Sequence, residues 1–154
     1  MNDPRGHRFL PYHPDAYDEH FALRIPLTLW VVLLYALHAE CLLLLGHLPQ
    51  AGAELGYLLA YVAPNELVAS LPALAVLVAA LRRRPTAGRL PRHLWRHGAW
   101  LLLASLVADL ALALTSRHGA WAAARVAGDL ASIAVVVTSA RIRDTFADFP
   151  RLPV

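Results

Sequence analysis

Four apolar stretches separated by short polar segments dominate the pattern of this 154-residue chain, over residues 26–46, 65–81, 99–115 and 120–140. Each approaches the roughly 20 apolar residues that a helix needs to cross the hydrocarbon core of a bilayer. The second stretch is short but adequate if Pro64 and Pro72 bend it or if it draws in flanking residues. The pattern predicts an all-α membrane protein with four transmembrane helices in one domain, residues 26–140.

The segment between the first two stretches, residues 47–63, contains no Lys or Arg. Its Leu55, Leu58, Leu59 and Val62 recur at helical spacing on one face. This spacing predicts a short helix that lies in the outer interface between the first and second spans. The alternative is that these residues form the first turns of one long helix kinked at Pro64.

The distribution of arginine predicts the topology. Residues 82–96 hold six arginines and no acid. The two segments at the opposite ends of the spans, residues 47–63 and 116–119, hold only one arginine, Arg117. By the positive-inside rule this loop is cytoplasmic, so both termini are inside, as an arm of residues 1–25 and a tail of residues 141–154. We expect the loop to rest on anionic lipid headgroups rather than on nucleic acid, through Arg82, Arg83, Arg84, Arg89, Arg92 and Arg96. Trp95, Trp100 and Trp121 are expected in the interfacial belt.

Composition supports a membrane class. The hydrophobic fraction of 58% and the mean hydropathy of +0.47 exceed what soluble domains usually show. The net charge is +3 and every basic residue is Arg, which points to a bacterial genome rich in G and C. A cleavable signal peptide is not expected, because the first apolar stretch follows a polar lead of about 24 residues and is too long for a signal h-region.

Charged residues inside the last two stretches predict a buried cluster. Counted outward from the turn at residues 116–119, Asp109 and Arg125 lie within ~1.5 Å of the same depth. Asp129 is four residues after Arg125, on the same helix face. An intramembrane charge costs roughly 2.5–3.5 kcal/mol on insertion scales, so such groups normally pair and face inward. We expect Arg125 to bridge the two Asp carboxylates, with Glu40 bordering the cluster.

This cluster has two interpretations. In the first, Arg125 is a packing clamp between Asp109 and Asp129, while Glu40 and Glu66 reach outer water or headgroups. In the second, all four acids converge, and at least one is protonated because desolvation and neighbouring like charges favour the neutral form. That arrangement would create a proton or cation site. The packing interpretation is favoured.

Helical stripes indicate how the spans pack. On one face of each span, residues recur at alternating spacings of three and four and form a stripe that includes small or polar side chains. These stripes are Leu33, Leu37, Glu40, Leu44 and His47; Glu66, Ser70, Ala73 and Leu77; Leu102, Ser105, Asp109, Leu112 and Ser116; and Ala122, Arg125, Asp129, Ser132, Val136 and Ser139. The stripes of the third and fourth spans should face each other, and Ala120, Ala124 and Gly128 permit a close approach.

Catalytic and metal-binding signals are weak. The chain has eight His and one Cys, but no HExxH, CxxC or Cys-His cluster, although His47 and His118 both lie near the outer face. There is no nucleophile-base spacing and no Gly-rich phosphate loop. We expect a protein that is not an enzyme and holds no metal or cofactor.

Several segments resemble a known family. They are Tyr17-Asp18, Leu23-Arg24, Pro26 with Leu29-Trp30, Leu71-Pro72-Ala73-Leu74, Asp109 and the closing run from Ser139-Ala140-Arg141 to Phe149-Pro150. In these features the chain resembles small proteobacterial inner-membrane proteins of unknown function, typified by YfeZ. The resemblance implies a multi-pass inner-membrane protein, supplies no activity and directs attention to both cytoplasmic ends.

The sequence leaves two functions open. The first is a non-catalytic accessory or scaffold subunit that docks a membrane-protein partner, or a second copy of itself, through Tyr17, Asp18, Arg24, Arg141, Arg143, Asp144, Phe146, Asp148, Phe149 and Pro150. The alternative is a small proton- or cation-linked carrier that uses Glu40, Asp109, Arg125 and Asp129.

Overall fold

The computed structural model describes residues 12–18, 22–47, 64–115 and 119–150. Within these ranges every regular element is a helix, and the only strand-like pairing is an isolated bridge between Tyr17 and Leu23. A single 3₁₀ turn, Pro14–Ala16, precedes the α-helices. These are α1 Leu27–Ala36, α2 His38–Gly46, α3 Pro64–Leu81, α4 Arg89–Arg96, α5 Gly98–Thr115, α6 Gly119–Thr138 and α7 Ala140–Ala147.

Three helices are long and apolar enough to cross a membrane: α3, α5 and α6. Their bounds lie close to those expected from the second, third and fourth apolar stretches. Counted as one broken span, the pair α1 and α2 would make a fourth. The part of the chain that the structure describes is therefore all-helical and contains three to four candidate membrane spans.

The first span is not the continuous helix that its apolar run predicts. α1 and α2 meet at Leu37 with a bend of 69°. Neither Pro nor Gly causes the break. His38 Nδ1 lies 3.0 Å from the Tyr35 carbonyl oxygen, and a side chain that bonds to a backbone carbonyl in this way is a recognised cause of helix kinks. The predicted stripe leaves the buried face after Glu40, which is half-buried, since Leu44 is 72% exposed.

Two predicted features lie outside the described residues. The interfacial helix was placed within residues 47–63, of which only His47 is described. The turn between α5 and α6, including Arg117 and His118, is also outside them.

The bundle buries its polar stripes and exposes apolar side chains. α5 packs against both α3 and α6, with Leu102 and Leu106 fully buried between them. The outer surfaces of the same helices carry exposed large apolar residues, among them Val68, Leu71, Val107, Leu114, Leu130 and Val137. Contiguous apolar surface of this kind is rare on soluble proteins. It is the distribution expected of helices surrounded by lipid.

Residues 82–96 are more ordered than the loop that the sequence predicts. After α3 ends, the chain turns and forms α4, which packs against α3, α5 and α7. Ser139 precedes α7, and its side chain accepts a hydrogen bond from the Ile142 N–H at 3.3 Å and so caps the helix. α4, α7 and the N-terminal segment thus gather at the arginine-rich end of the bundle.

Candidate functional site

A buried ion cluster joins three of the candidate spans. Arg125 in α6 donates one guanidinium N–H to Glu66 in α3 and another to Asp109 in α5. All three side chains are nearly fully buried. The guanidinium therefore bridges two carboxylates on two different helices, which we call the Arg125 clamp.

The clamp differs from the sequence prediction in one partner. The ion pair between Arg125 and Asp109 is present, as the matching depths of the two residues predicted. The second carboxylate is Glu66 rather than Asp129, so the expectation that Glu66 reaches outer water or headgroups is wrong. Glu66 follows the inward stripe of its own helix and shares the buried face with Ser70 and Ala73.

The neighbouring helix contacts explain why these groups meet. The Ser105 hydroxyl of α5 donates to the Ala69 carbonyl of α3 at 2.8 Å. A side-chain hydroxyl that bonds to a neighbouring helix backbone holds the two helices close. Glu66, in the first turn of α3, is thereby held near the buried face of α5.

Asp129 is fully buried but separate from the clamp. Its exposure is 0%, and neither carboxyl oxygen accepts a hydrogen bond from the described residues. The Tyr35 hydroxyl and the Asp109 carboxyl group still lie close enough to interact with it, and Arg125 contributes a positive charge nearby. An intramembrane carboxyl group that lacks a well-formed hydrogen bond is costly, so Asp129 is poorly satisfied in the described bundle.

Tyr35 closes the bundle over this carboxyl group. Its hydroxyl donates to the Arg125 carbonyl oxygen at 2.9 Å, from α1 to α6. The approach depends on Gly128, because a Cβ there would lie 2.5 Å from the Tyr35 hydroxyl oxygen. The small residue therefore admits a tyrosine of the first span, a partner that the small-residue spacing alone does not identify.

Glu40 does not join the Arg125 clamp. It is half-buried in α2, and its Oε1 accepts a hydrogen bond from the Ser70 hydroxyl of α3. Its Oε2 is buried without a hydrogen-bond partner in the described residues. Of the four predicted cluster members, Asp109 and Arg125 form an ion pair and Asp129 lies beside them. The fourth, Glu40, contacts Ser70 instead.

A second polar site forms at the arginine-rich end and is centred on Arg83. Its guanidinium donates to the Leu23 carbonyl at 2.5 Å and to the Asp148 carbonyl at 3.0 Å. The Asp148 carboxylate in turn accepts from the Leu23 N–H at 2.7 Å. We call this meeting of the N-terminal segment, Arg83 and the end of α7 the terminal junction.

Arg83 is therefore not one of the headgroup-binding residues that the sequence predicts. Its guanidinium lies 5.0 Å from the centroid of the Trp95 ring, in cation–π contact. Burial lowers the pKa of Arg83, and the carboxylates of Asp148 and Asp18 oppose that shift. The side chain acts as an internal bridge between the two ends of the chain.

Trp95 is also buried rather than interfacial. Its exposure is 0%, and its indole N–H lies 2.9 Å from the Thr145 carbonyl and 3.0 Å from that of Asp148. Its ring packs on Phe146 at 4.9 Å between centroids. The indole fixes α4 to α7. Trp100 and Trp121 remain exposed, at 74% and 41%.

The residues predicted to dock a partner fall into two groups. Six take part in contacts within the chain and are buried or half-buried: Tyr17, Asp18, Phe146, Asp148, Phe149 and Pro150. The other four are exposed: Arg24, Arg141, Arg143 and Asp144. Only the second group presents a whole side chain to another molecule.

Tyr12 connects to this exposed group. Its hydroxyl donates to the Asp144 carboxylate at 2.6 Å, and the Arg141 guanidinium lies 5.6 Å from its ring centroid. The hydrogen bond to Asp144 raises the pKa of Tyr12 above its ordinary value of 10.0. Sequence spacing gave no signal for this contact, which joins residues 132 positions apart.

The remaining arginines of residues 82–96 are exposed: Arg82, Arg84, Arg89, Arg92 and Arg96. Arg92 also donates to the Pro85 carbonyl at 2.6 Å. Among the described residues, no group of three or more His, Cys, Asp and Glu side chains could hold a metal ion.

Comparison with known proteins gives one match. The family described as "Protein of unknown function (DUF2919)" matches residues 12–148. No curated protein and no solved structure matches the chain. The matched range begins in the N-terminal segment and ends at Asp148, so it contains both the Arg125 clamp and the terminal junction. The chain belongs to the DUF2919 family.

Proposed function

We propose that this protein is a non-catalytic accessory or scaffold subunit of the bacterial inner membrane, with the arginine-rich end in the cytoplasm. The terminal junction is the observation that carries this proposal. It converts two chain ends into one folded surface, held by Arg83, Trp95 and Asp148. A surface that is ordered before binding avoids the entropy cost of ordering loose tails.

The partner would contact the exposed part of that surface. Arg24, Arg141 and Asp144 are exposed there and offer charges of both signs to a complementary protein. Such charges favour specificity and association rate more than raw affinity. The occupant in this proposal is a second membrane protein whose cytoplasmic face carries the opposite charges, or a second copy of this chain.

The Arg125 clamp supports a structural rather than a transport role. It links α3, α5 and α6 through two ion pairs. Three cavities among the described residues, of about 880, 360 and 320 Å³, have neither the clamp residues nor Asp129 in their linings. A paired cluster away from these cavities is suited to holding helices together.

Affinity purification from native membranes tests this role. The tagged full chain should co-purify one protein in near-stoichiometric amount, and the exposed pair R24Q/R141Q should release it. The control R84Q/R89Q removes the same charge from exposed positions outside the surface and should retain the partner. No stoichiometric partner with the wild-type chain, or equal retention by R24Q/R141Q, would contradict the proposal. A differently tagged second copy distinguishes self-association.

A second candidate rests on Asp129. A buried carboxyl group with no hydrogen-bond partner, close to Asp109 and Arg125, is the arrangement from which a proton-linked carrier is built. In this proposal Asp129 takes up and releases a proton, and Glu40 contributes a second carboxyl group on the α2 side.

The two candidates predict different outcomes for one substitution. In a carrier, Asp129→Asn abolishes proton-coupled uptake in proteoliposomes although the protein still inserts and folds. In an accessory subunit, Asp129→Asn leaves partner retention and the phenotype of the wild-type gene unchanged. Asp15→Asn is the matched control, since it removes an exposed carboxylate that lies outside both the candidate spans and the docking residues.

A further inference from the structure

A cavity of about 880 Å³ opens at the arginine-rich end, between α4, α5, α6 and α7. Its volume lies within the roughly 300–1,000 Å³ typical of small-molecule sites. Arg92, Arg96 and Arg143 line one part of it and form what we call the arginine rim. None of the residues that line the cavity is acidic.

The arginine rim is not neutralised within the described chain. Arg96 and Arg143 are exposed, and neither has an ion-pair partner among the described residues. Arg92 is held in place by the Pro85 carbonyl and by the Phe149 ring, whose centroid lies 5.3 Å from its guanidinium. Three guanidinium groups around one opening favour a ligand with a phosphate or another compact anion.

The other side of the cavity is apolar and continues onto the lipid-facing surface of the spans. Trp100 and Leu103, in the first turns of α5, line it together with Val137 near the end of α6, and we call these three residues the apolar wall. Trp100 is 74% exposed and Val137 54% exposed. A ligand here would meet positive charge at one end and hydrocarbon at the other.

We propose that this cavity binds one anionic phospholipid. The phosphate of the headgroup lies within the arginine rim, and one acyl chain follows the apolar wall toward the bilayer. Basic pockets between membrane helices on the cytoplasmic side are suited to anionic headgroups. The site goes beyond the general affinity of an arginine-rich segment for a negative surface, because it includes Arg143 of α7 and excludes Arg82 and Arg84.

The lipid would also reinforce the fold. Arg92 and Arg96 belong to α4, Arg143 to α7, and the apolar wall to α5 and α6. One lipid molecule would therefore contact four helices, including α4 and α7, which Trp95 joins. A ligand that binds only the folded state stabilises it by mass action.

Native mass spectrometry of the purified full chain tests the site. With phosphatidylglycerol in the detergent, the wild-type protein should retain one lipid, and with phosphatidylcholine it should retain markedly less. The variant R96Q/R143Q should bind phosphatidylglycerol about five-fold more weakly for each arginine, or about thirty-fold for both. The control R82Q/R84Q removes the same charge outside the cavity and should bind within about two-fold of wild type.

Thermal stability in detergent separates a lipid from a free anion. Phosphatidylglycerol should raise the melting temperature of the wild-type protein, whereas inorganic phosphate and glycerol phosphate at the same concentration should not. Equal protection by either free anion would overturn the lipid site. Equal loss of lipid by the control and by R96Q/R143Q would also overturn it, because it would show binding by net charge alone. The two substituted rim residues, Arg96 and Arg143, are exposed, and gel filtration verifies that the variants fold.

Discussion

Arg125 and Glu66, 59 residues apart in the chain, form a buried ion pair between α6 and α3. Asp109 of α5 completes the clamp from the other side. One guanidinium thus ties together the three helices that are each long enough to cross a membrane.

Removing the guanidinium should destabilise the bundle strongly. Arg125→Ala leaves the carboxylates of Glu66 and Asp109 buried without a cation, and breaking a buried pair in this way costs about 3–5 kcal/mol. We expect lower yield and a lower unfolding midpoint in SDS titrations. Arg84→Ala, which removes an exposed arginine, should change the midpoint little. A wild-type midpoint for Arg125→Ala would show that the clamp does not hold the helices.

The two aspartates should respond differently to the same substitution. Asp109→Asn removes one half of an ion pair and should cost about 1.5–3 kcal/mol. Asp129→Asn alters a group that accepts no hydrogen bond from the described residues, so we expect a change of less than ~1 kcal/mol. Unfolding in SDS or by heat measures both, and a larger loss for Asp129→Asn than for Asp109→Asn would contradict the assigned pairing.

The close approach of Tyr35 should make Gly128 intolerant of a methyl group. Gly128→Ala would place a Cβ 2.5 Å from the Tyr35 hydroxyl oxygen, and such overpacking typically costs about 1–3 kcal/mol. The penalty should fall sharply in a Tyr35→Ala background. Gly88→Ala, where the added Cβ meets nothing within 4 Å, is the matched control. The same penalty with and without the Tyr35 ring would refute the contact.

The terminal junction should loosen when Arg83 is replaced. Arg83→Gln loses charged hydrogen bonds to the Leu23 and Asp148 carbonyls, each worth about 1.5–3 kcal/mol. Hydrogen exchange should accelerate at the amide of Leu23 and along α7 while α5 is unaffected. Arg82→Gln, exposed and next in sequence, should leave both regions protected. Unchanged exchange in Arg83→Gln would mean that the two chain ends are held by other contacts.

The Tyr12–Asp144 hydrogen bond predicts an alkaline titration. In the folded state the pKa of Tyr12 lies above the ordinary value of 10.0. The hydrogen bond to Asp144 is therefore fully present below pH 10.0 and is lost as the pH rises through the folded-state pKa of Tyr12. The phenolate absorbance, taken as the difference from Tyr12→Phe, should titrate above 10.0 and return toward it in Asp144→Asn. A titration at the ordinary value in the wild-type protein would exclude the bond.

The sequence predicted the long helices well because their signal is local. α3, α5 and α6 follow from apolar runs long enough to cross a bilayer. The pairing of Asp109 with Arg125 was predictable because the short segment between their helices lets the depth of each residue be counted. The break at Leu37 carries no such signal, since it depends on the His38 side chain and not on Pro or Gly.

The terminal junction was beyond sequence reasoning for a different reason. Trp95 and Arg83 lie in a segment whose composition is typical of the membrane interface. Their hydrogen-bond partners, however, lie 50 and 65 residues further along the chain. Their burial is a consequence of tertiary packing, which periodicity does not encode. Glu66 was predictable in part. Its helical stripe indicates that the side chain faces inward, but nothing in the sequence identifies Arg125 as its partner.

A double-mutant cycle between Arg125 and Glu66 tests the central claim most directly. The free energy of unfolding in SDS is measured for the wild-type protein, Arg125→Met, Glu66→Gln and the double variant. The clamp predicts that the double variant is more stable than the sum of the two losses implies, by at least about 1 kcal/mol. Losses that add within about 0.3–0.5 kcal/mol would show that the two side chains do not interact.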